Sequence, residues 1–75
     1  MKIKAGDIIS EARIVRGMTQ QQAANALGVS TRTIQNWETR AELPPLVALR
    51  VAGYYGLTPE RLSTEVKTIL HSFAN

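Results

Sequence analysis

The apolar residues of this chain recur every three or four positions, as they do along one face of an α-helix, and no segment alternates like a strand. Residues that end or begin helices interrupt this pattern at four places. The interruptions fall at Gly17, at Gly28, at Pro44 and Pro45, and at Gly56. The pattern therefore predicts five short helices, and a chain of 75 residues is expected to form one compact all-α domain.

The first helix is predicted over residues 5–16, directly before Gly17. A glycine just after the last periodic residue is typical of a helix C-terminus. The apolar positions of this helix are Ile8, Ile9, Ala12, Ile14 and Val15. Their spacing is that of a partly buried helix, so one face is expected to pack on the core.

The segment from Thr19 to Glu38 carries the clearest helix signals in the chain. Thr19 and Gln22 have the spacing of a capping box, in which each side chain bonds the backbone N–H of the other residue. Gly28 then permits a sharp turn, and Ser30 is a typical N-cap for the next helix. The inner faces are expected to consist of Ala23, Ala24, Leu27, Ile34 and Trp37, with Val29 at the turn. The segment is thus predicted to form two short helices joined by a tight turn.

Beyond that segment, residues 39–43 are predicted to be a loop, and residues 45–55 a fourth helix that opens on a proline. Thr58, Pro59 and Glu60 form another helix-start signature, and we expect the fifth helix to begin there. The apolar positions of these two helices are Leu46, Leu49, Val51, Ala52, Leu62, Val66, Ile69, Leu70 and Phe73.

Composition limits the functions open to the chain. It has no cysteine and a single histidine, His71, so neither a disulfide nor a zinc site is expected, and no metal or cofactor is predicted. No nucleophile–base pair and no glycine-rich phosphate loop is apparent, so we do not expect an enzyme. No apolar run approaches the ~20 residues of a membrane helix, which leaves the cytoplasm as the expected location.

The charge balance and one helix face point to nucleic acid. Nine basic residues against six acidic ones give a formal charge of +3, which suits an anionic partner but is weak evidence alone. The third predicted helix turns polar side chains outward, namely Thr31, Arg32, Gln35 and Asn36. Arginine can pair with guanine O6 and N7, and asparagine with adenine N6 and N7. Double-stranded DNA is therefore the expected partner.

The two central helices and their turn resemble the phage repressor and Cro-type helix-turn-helix family. The matching residues are Thr19, Gln20, Ala24, Leu27, Gly28, Val29, Ser30, Ile34, Trp37, Glu38 and Pro44. The resemblance spans roughly residues 5–65 and implies a single lambda-repressor-like, five-helix domain over residues 1–75. It also implies a transcriptional regulator, expected to be a repressor, that binds a palindromic operator as a homodimer.

The resemblance also implies roles for individual side chains. Thr31, Arg32 and Asn36 match positions that touch base edges in the family, and Gln35 lies at the margin of the same face. Gln20 matches a residue that hydrogen-bonds a phosphate and holds the helix end against the DNA backbone. The expected contacts are therefore base edges for the first four residues and a phosphate for Gln20.

The neighbouring positions leave alternatives open. Thr33 either contacts a phosphate or satisfies the backbone in the first turn of its own helix. Arg40 stands where the family usually has a glycine, and it is expected to contact a phosphate. Glu42 stands where the family often has a basic residue, and its negative charge would repel a phosphate. Glu38 is expected to form a structural ion pair with Arg13 that ties the first helix to the end of the third.

Two surfaces are candidates for the dimer contact. The candidate residues are Tyr54, Tyr55 and Leu57 in one region, and Ile69, Leu70 and Phe73 in a C-terminal extension over residues 66–75. The last three either meet a partner or pack on the domain's own core. A Cro-like protein or a small prophage or plasmid regulator is expected, without a small-molecule effector. The alternative function is a protein-interaction module, such as a small antitoxin-type regulator that binds a partner protein as well as DNA.

Overall fold

The computed structural model describes residues 3–73, and within them the chain forms five α-helices, one 3-10 turn and no strand. The elements are α1 (Ala5–Val15), α2 (Gln20–Leu27), α3 (Thr31–Glu38), α4 (Pro45–Tyr55), the 3-10 turn (Pro59–Arg61) and α5 (Thr64–Phe73). The predicted all-α, five-helix class is confirmed. No helix of this described part is long and apolar enough to span a bilayer.

Local capping defines the ends of α2 and α3 as the sequence predicts. Thr19 Oγ1 accepts a hydrogen bond from Gln22 N at 3.1 Å, and Gln22 Oε1 accepts one from Thr19 N at 2.8 Å. Ser30 Oγ accepts from the backbone N–H of Thr33 at 3.1 Å. Gly28 has a φ of 70°, a left-handed conformation that costs glycine little, so the chain turns sharply between the two helices.

The core lies where the inner faces of all five helices meet. Its buried apolar residues are Ala5, Ile9, Ala12, Ala23, Ala24, Leu27, Ile34, Trp37, Leu43, Ala48, Val51, Ala52, Tyr55, Leu62 and Val66. Leu43 belongs to this core although it lies in a loop, and its N–H donates to Leu62 O at 2.9 Å. This bond and the buried side chain hold the loop after α3 against the turn before α5.

Four of the apolar positions of α1 and α4 face solvent rather than the core. Ile14 and Val15 are 62% and 76% exposed, because α1 turns Ala5, Ile9 and Ala12 inward. On α4, Leu46 is 80% exposed and Leu49 is half exposed. Here the inner face consists of Ala48, Val51, Ala52 and Tyr55. Small alanines on the buried faces let the short helices approach closely, and these four larger side chains lie outside the contacts.

The predicted start of the fifth helix is wrong. Thr58 makes no side-chain cap, and Pro59 begins the 3-10 turn rather than an α-helix. The turn places Leu62 in the core, and α5 begins only at Thr64. Two of the first N–H groups of α5 have side-chain acceptors. Ser63 Oγ accepts from Val66 N at 3.3 Å, and the Glu42 carboxylate, in the loop after α3, accepts from Thr64 N. That acceptor, Glu42 Oε1, lies 22 residues before Thr64, so no local signature reveals this helix start.

The N-terminus of α1 packs directly on the loop after α3. Ala5 N donates to Ala41 O at 2.8 Å and Gly6 N donates to Arg40 O at 2.9 Å. A Cβ atom at Gly6 would lie 2.3 Å from Glu38 O, well inside van der Waals contact. Only glycine permits this approach, which fixes the C-terminal end of α3 relative to α1.

Candidate nucleic-acid interface

The helix pair α2–α3 turns one face of α3 away from the core. Ala24 is fully buried where the helices cross, and its carbonyl oxygen accepts a hydrogen bond from Val29 N at 2.9 Å. Ile34 and Trp37 anchor α3 by burying its inner face. The opposite face of α3 therefore projects outward on a rigid support, as a helix must to enter the major groove of DNA.

Three side chains on that face are exposed and make no hydrogen bond within the described part of the chain. Arg32, Gln35 and Asn36 are exposed, and none of them has a side-chain hydrogen bond to another part of residues 3–73. Binding a base edge would therefore break no internal bond of these groups. Arg32 also places a positive charge on the face. We call these three residues the free face of α3.

Thr31 and Thr33, at the start of α3, are already hydrogen-bonded within the protein. Thr31 Oγ1 donates to Gln21 Oε1 across the helix pair at 2.7 Å. Thr33 Oγ1 lies 3.0 Å from Ser30 Oγ, so this hydroxyl takes part in the helix cap. Gln21 was not identified by sequence reasoning, because its partner lies ten residues away and across a turn.

Gln20 is tied to the end of α3. Its Nε2 donates to Glu38 Oε1 at 3.0 Å, and Arg13 Nη2 donates to the same oxygen at 3.1 Å. Only one of the two amide hydrogens of Gln20 is used by this bond, so the other stays available to an acceptor outside the protein. Glu38 thus orients Gln20 at the start of α2.

The ion pair between Arg13 and Glu38 is the central polar contact of the domain. Arg13 Nε donates to Glu38 Oε2 at 2.7 Å, and the two side chains are only 13% and 8% exposed. The hydrogen bond that Arg13 donates to Glu38 raises the pKa of Arg13 above its ordinary value, although burial acts against the charge. Arg13 Nη1 also donates to Met18 O at 2.8 Å. One guanidinium therefore joins α1, the α1–α2 connection and the end of α3.

The loop after α3 carries Arg40 and Glu42, the two residues that differ from the family pattern. The residue at the usual glycine position, Arg40, is not left-handed, and no non-glycine residue of the described chain has a positive φ. Its side chain is exposed, with Nε donating to Glu42 O at 3.3 Å. Glu42 Oε1 accepts from Thr64 N at 2.8 Å, so this carboxylate caps α5. The sequence predicts only that Glu42 would repel a phosphate; its role as the cap of α5 is visible only in the structure.

Two other arginines that add to the basic charge are used inside the fold. Arg16 donates to Ala12 O at 3.0 Å and to Tyr55 O, and its guanidinium carbon lies 5.3 Å from the Tyr55 ring centroid. Arg50, on α4, donates to Leu27 O at the C-terminus of α2. The sequence offers no local signal for the bonds to Tyr55 O and Leu27 O, because these two partners come from other helices.

The two candidate dimer surfaces differ in exposure. Tyr55 is only 3% exposed, so its predicted place on a dimer surface is wrong, because the ring packs in the core. Burial raises the pKa of Tyr55, with a smaller contribution in the same direction from the Glu38 carboxylate. Leu57 is half-buried against the core, and Tyr54 is 41% exposed. On α5, the exposed apolar residues are Ile69, Leu70 and Phe73.

The chain matches a known protein family. Residues 9–62 match the model of a protein family described as helix-turn-helix, a span that runs from within α1 to the end of the 3-10 turn region and includes α2 and α3. No curated protein and no solved structure matches the chain significantly. The family match covers more than half of the chain.

Proposed function

Because the chain belongs to the XRE-type helix-turn-helix family of DNA-binding transcription regulators, as phage repressors and Cro do, we propose that it represses transcription from a palindromic operator. The observation that carries this proposal is the free face of α3, in which Arg32, Gln35 and Asn36 are exposed and uncommitted. An α-helix fits the major groove, which is about 12 Å wide, and these side chains would then meet base edges.

Each residue of the proposed interface has a distinct task. Arg32 donates two hydrogen bonds to guanine O6 and N7, and Asn36 pairs with adenine N6 and N7. Gln35 and Thr31 contact neighbouring base edges on the same side. These contacts supply sequence preference, since the four base pairs differ in their major-groove donors and acceptors.

Phosphate contacts would set the position of α3 in the groove. Gln20 keeps one amide hydrogen free after bonding Glu38 and donates it to a phosphate oxygen. Arg40 is exposed beside the end of α3 and supplies a positive charge to the DNA backbone. Thr33 Oγ1 lies 3.0 Å from Ser30 Oγ, and where Ser30 is the donor in that contact, the Thr33 hydroxyl keeps its hydrogen for a phosphate oxygen.

Arg32→Ala is expected to weaken binding to a selected operator by ~1–3 kcal/mol and to relax base preference at one position. The matched control is Arg61→Ala, which removes the same charge from the exposed 3-10 turn. Fluorescence anisotropy at fixed salt, with the operator and a scrambled duplex, measures both variants. Unchanged operator affinity for Arg32→Ala would refute the base-contact assignment.

Selection from a pool of random duplexes tests the proposal as a whole. A palindromic consensus with half-sites ~10 base pairs apart is expected, because one short helix contacts only a few base pairs and a homodimer contacts two half-sites. Binding must also weaken steeply with salt if phosphates are contacted. If this protein retains no duplex from the pool at low salt, the proposal that it is a DNA-binding repressor is wrong.

The dimer contact is proposed at the end of α5. Val66 is buried, and Ile69, Leu70 and Phe73 lie on the same side of the helix at three- and four-residue spacing, but they are exposed. The apolar stripe of α5 thus continues beyond the part that the domain's own core covers. A second copy of the chain would bury this continuation.

Leu70→Glu is expected to convert the dimer to a monomer, because a carboxylate in the apolar contact would lose its hydration. The matched control is His71→Glu, which places the same side chain on the opposite side of α5. Sedimentation equilibrium of both variants gives the oligomeric state. If Leu70→Glu sediments as the unmodified chain does, the dimer contact lies elsewhere.

A further inference from the structure

A chain of hydrogen bonds joins the exposed face of α2 to the first residue of α3. Thr31 Oγ1 donates to Gln21 Oε1 at 2.7 Å, and Gln21 Nε2 donates to Asn25 Oδ1 at 3.0 Å. Gln21 and Asn25 lie one turn apart on the same side of α2, and both are exposed. We call these residues the Thr31–Gln21–Asn25 chain.

The direction of these bonds determines what the Thr31 hydroxyl can offer. A hydroxyl has one hydrogen to donate and two lone pairs that accept. The single hydrogen of Thr31 is directed at Gln21 Oε1, so only lone pairs remain for a group outside the protein. Asn25 supports this arrangement, because its oxygen binds the NH₂ end of the Gln21 amide and leaves the carbonyl end facing Thr31.

We infer that Gln21 is a positioning residue that makes Thr31 a hydrogen-bond acceptor toward DNA, so that Thr31 selects a base with an amino group in the major groove. The inference rests on the proposed function, in which Thr31 lies at the base edges. Adenine N6 and cytosine N4 are the amino donors exposed there. Guanine and thymine present oxygen acceptors at the corresponding place, which would face the lone pairs of Thr31 without a hydrogen between them.

The inference predicts a base preference that depends on a residue of α2. The base pair recognised by Thr31 is the one at which Thr31→Val loses selectivity, since valine keeps the shape and removes the hydroxyl. At that position the consensus is expected to carry adenine or cytosine facing Thr31. Replacing that base with one that presents an acceptor should weaken binding of the unmodified protein roughly tenfold.

Two substitutions at Gln21 separate positioning from a merely structural role. Gln21→Ala frees the Thr31 hydrogen, so the hydroxyl can donate as well as accept, and the roughly tenfold preference should fall to about twofold or less. Gln21→Glu keeps an oxygen that accepts from Thr31, so the preference should survive while affinity falls for every duplex, because a negative charge faces the phosphates. Both residues are good helix formers, so α2 should persist.

The measurement is the ratio of dissociation constants for two duplexes that differ only at the Thr31 base pair, taken at one salt concentration for all four proteins. A thermal melt of each variant establishes that it is folded. The inference is overturned if Gln21→Ala retains the full ratio of dissociation constants, or if Thr31→Val loses selectivity at no base pair. It is also overturned if the consensus presents guanine or thymine to Thr31. Failure of the unmodified protein to prefer any duplex would instead overturn the proposed function.

Discussion

Arg13→Met is expected to destabilise the domain by about 3 kcal/mol, because it leaves the Glu38 carboxylate charged and without its main partner in a nearly buried position. Methionine keeps much of the apolar stem, so packing loss is small. Arg13 also donates a hydrogen bond to Met18 O, and the substitution removes this donor. In a domain of this size such a change lowers the melting temperature by roughly 15 °C, measurable by circular dichroism.

A double substitution tests the cause of that loss. Arg13→Met combined with Glu38→Leu removes both charges, and replacing a buried pair by apolar residues is often neutral. We therefore expect the double variant to be clearly more stable than Arg13→Met alone. Additive losses in the double-mutant cycle would contradict the explanation by a stranded charge.

The same double variant connects stability to DNA binding. Without Glu38, the Gln20 amide loses the acceptor that orients it at the start of α2. A folded double variant should therefore bind all duplexes more weakly, with its base preferences retained, because the proposed Gln20 contact is to phosphate. Base preference measured on the selected operator distinguishes this result from a distortion of α3.

Gly6→Ala is expected to cost about 3 kcal/mol of unfolding free energy. The added Cβ would lie 2.3 Å from Glu38 O and 2.5 Å from Glu38 C, which are backbone atoms that cannot rotate away. Relief requires α1 to move from the loop after α3, which weakens the bond from Gly6 N to Arg40 O. Thermal and urea unfolding measure the loss.

Gly53→Ala is the matched control for that substitution. Gly53 also lies within a helix, α4, but a Cβ atom there meets nothing within 4 Å. Alanine at this position should stabilise the domain by about 0.5–1 kcal/mol, because it restricts the unfolded chain and favours the helix. If Gly6→Ala were as stable as Gly53→Ala, the close approach of α1 to the end of α3 would be wrong.

The sequence predicts best those features that depend on neighbours within about one helical turn. The capping box of Thr19 and Gln22, the Ser30 cap and the turn at Gly28 were all predicted and are all present. Such contacts join residues within one turn, so their spacing in the sequence is their spacing in the molecule. The polar outer side of α3 follows from helical spacing in the same way, since Ile34 and Trp37 define its inner side.

Features that join distant residues needed the tertiary structure. The cap on α5 comes from Glu42, 22 positions before Thr64, so the local signature at Thr58 was misleading. Tyr55 was expected at the surface, yet the packing of α4 turns its ring into the core. Periodicity gives the width of an apolar stripe but not its rotation against neighbouring helices, which the small residues at the contacts decide.

The sequence by itself therefore determined the number of helices, the caps of α2 and α3, the turn at Gly28 and the polar side of α3, because these depend on local spacing and periodicity. Only the tertiary structure decided which polar groups remain available to DNA. It engages Thr31 with Gln21 and Gln20 with Glu38, and leaves Arg32 without an internal partner in the described chain. The physical reason is that a hydrogen bond between helices depends on their relative placement, which no local pattern encodes.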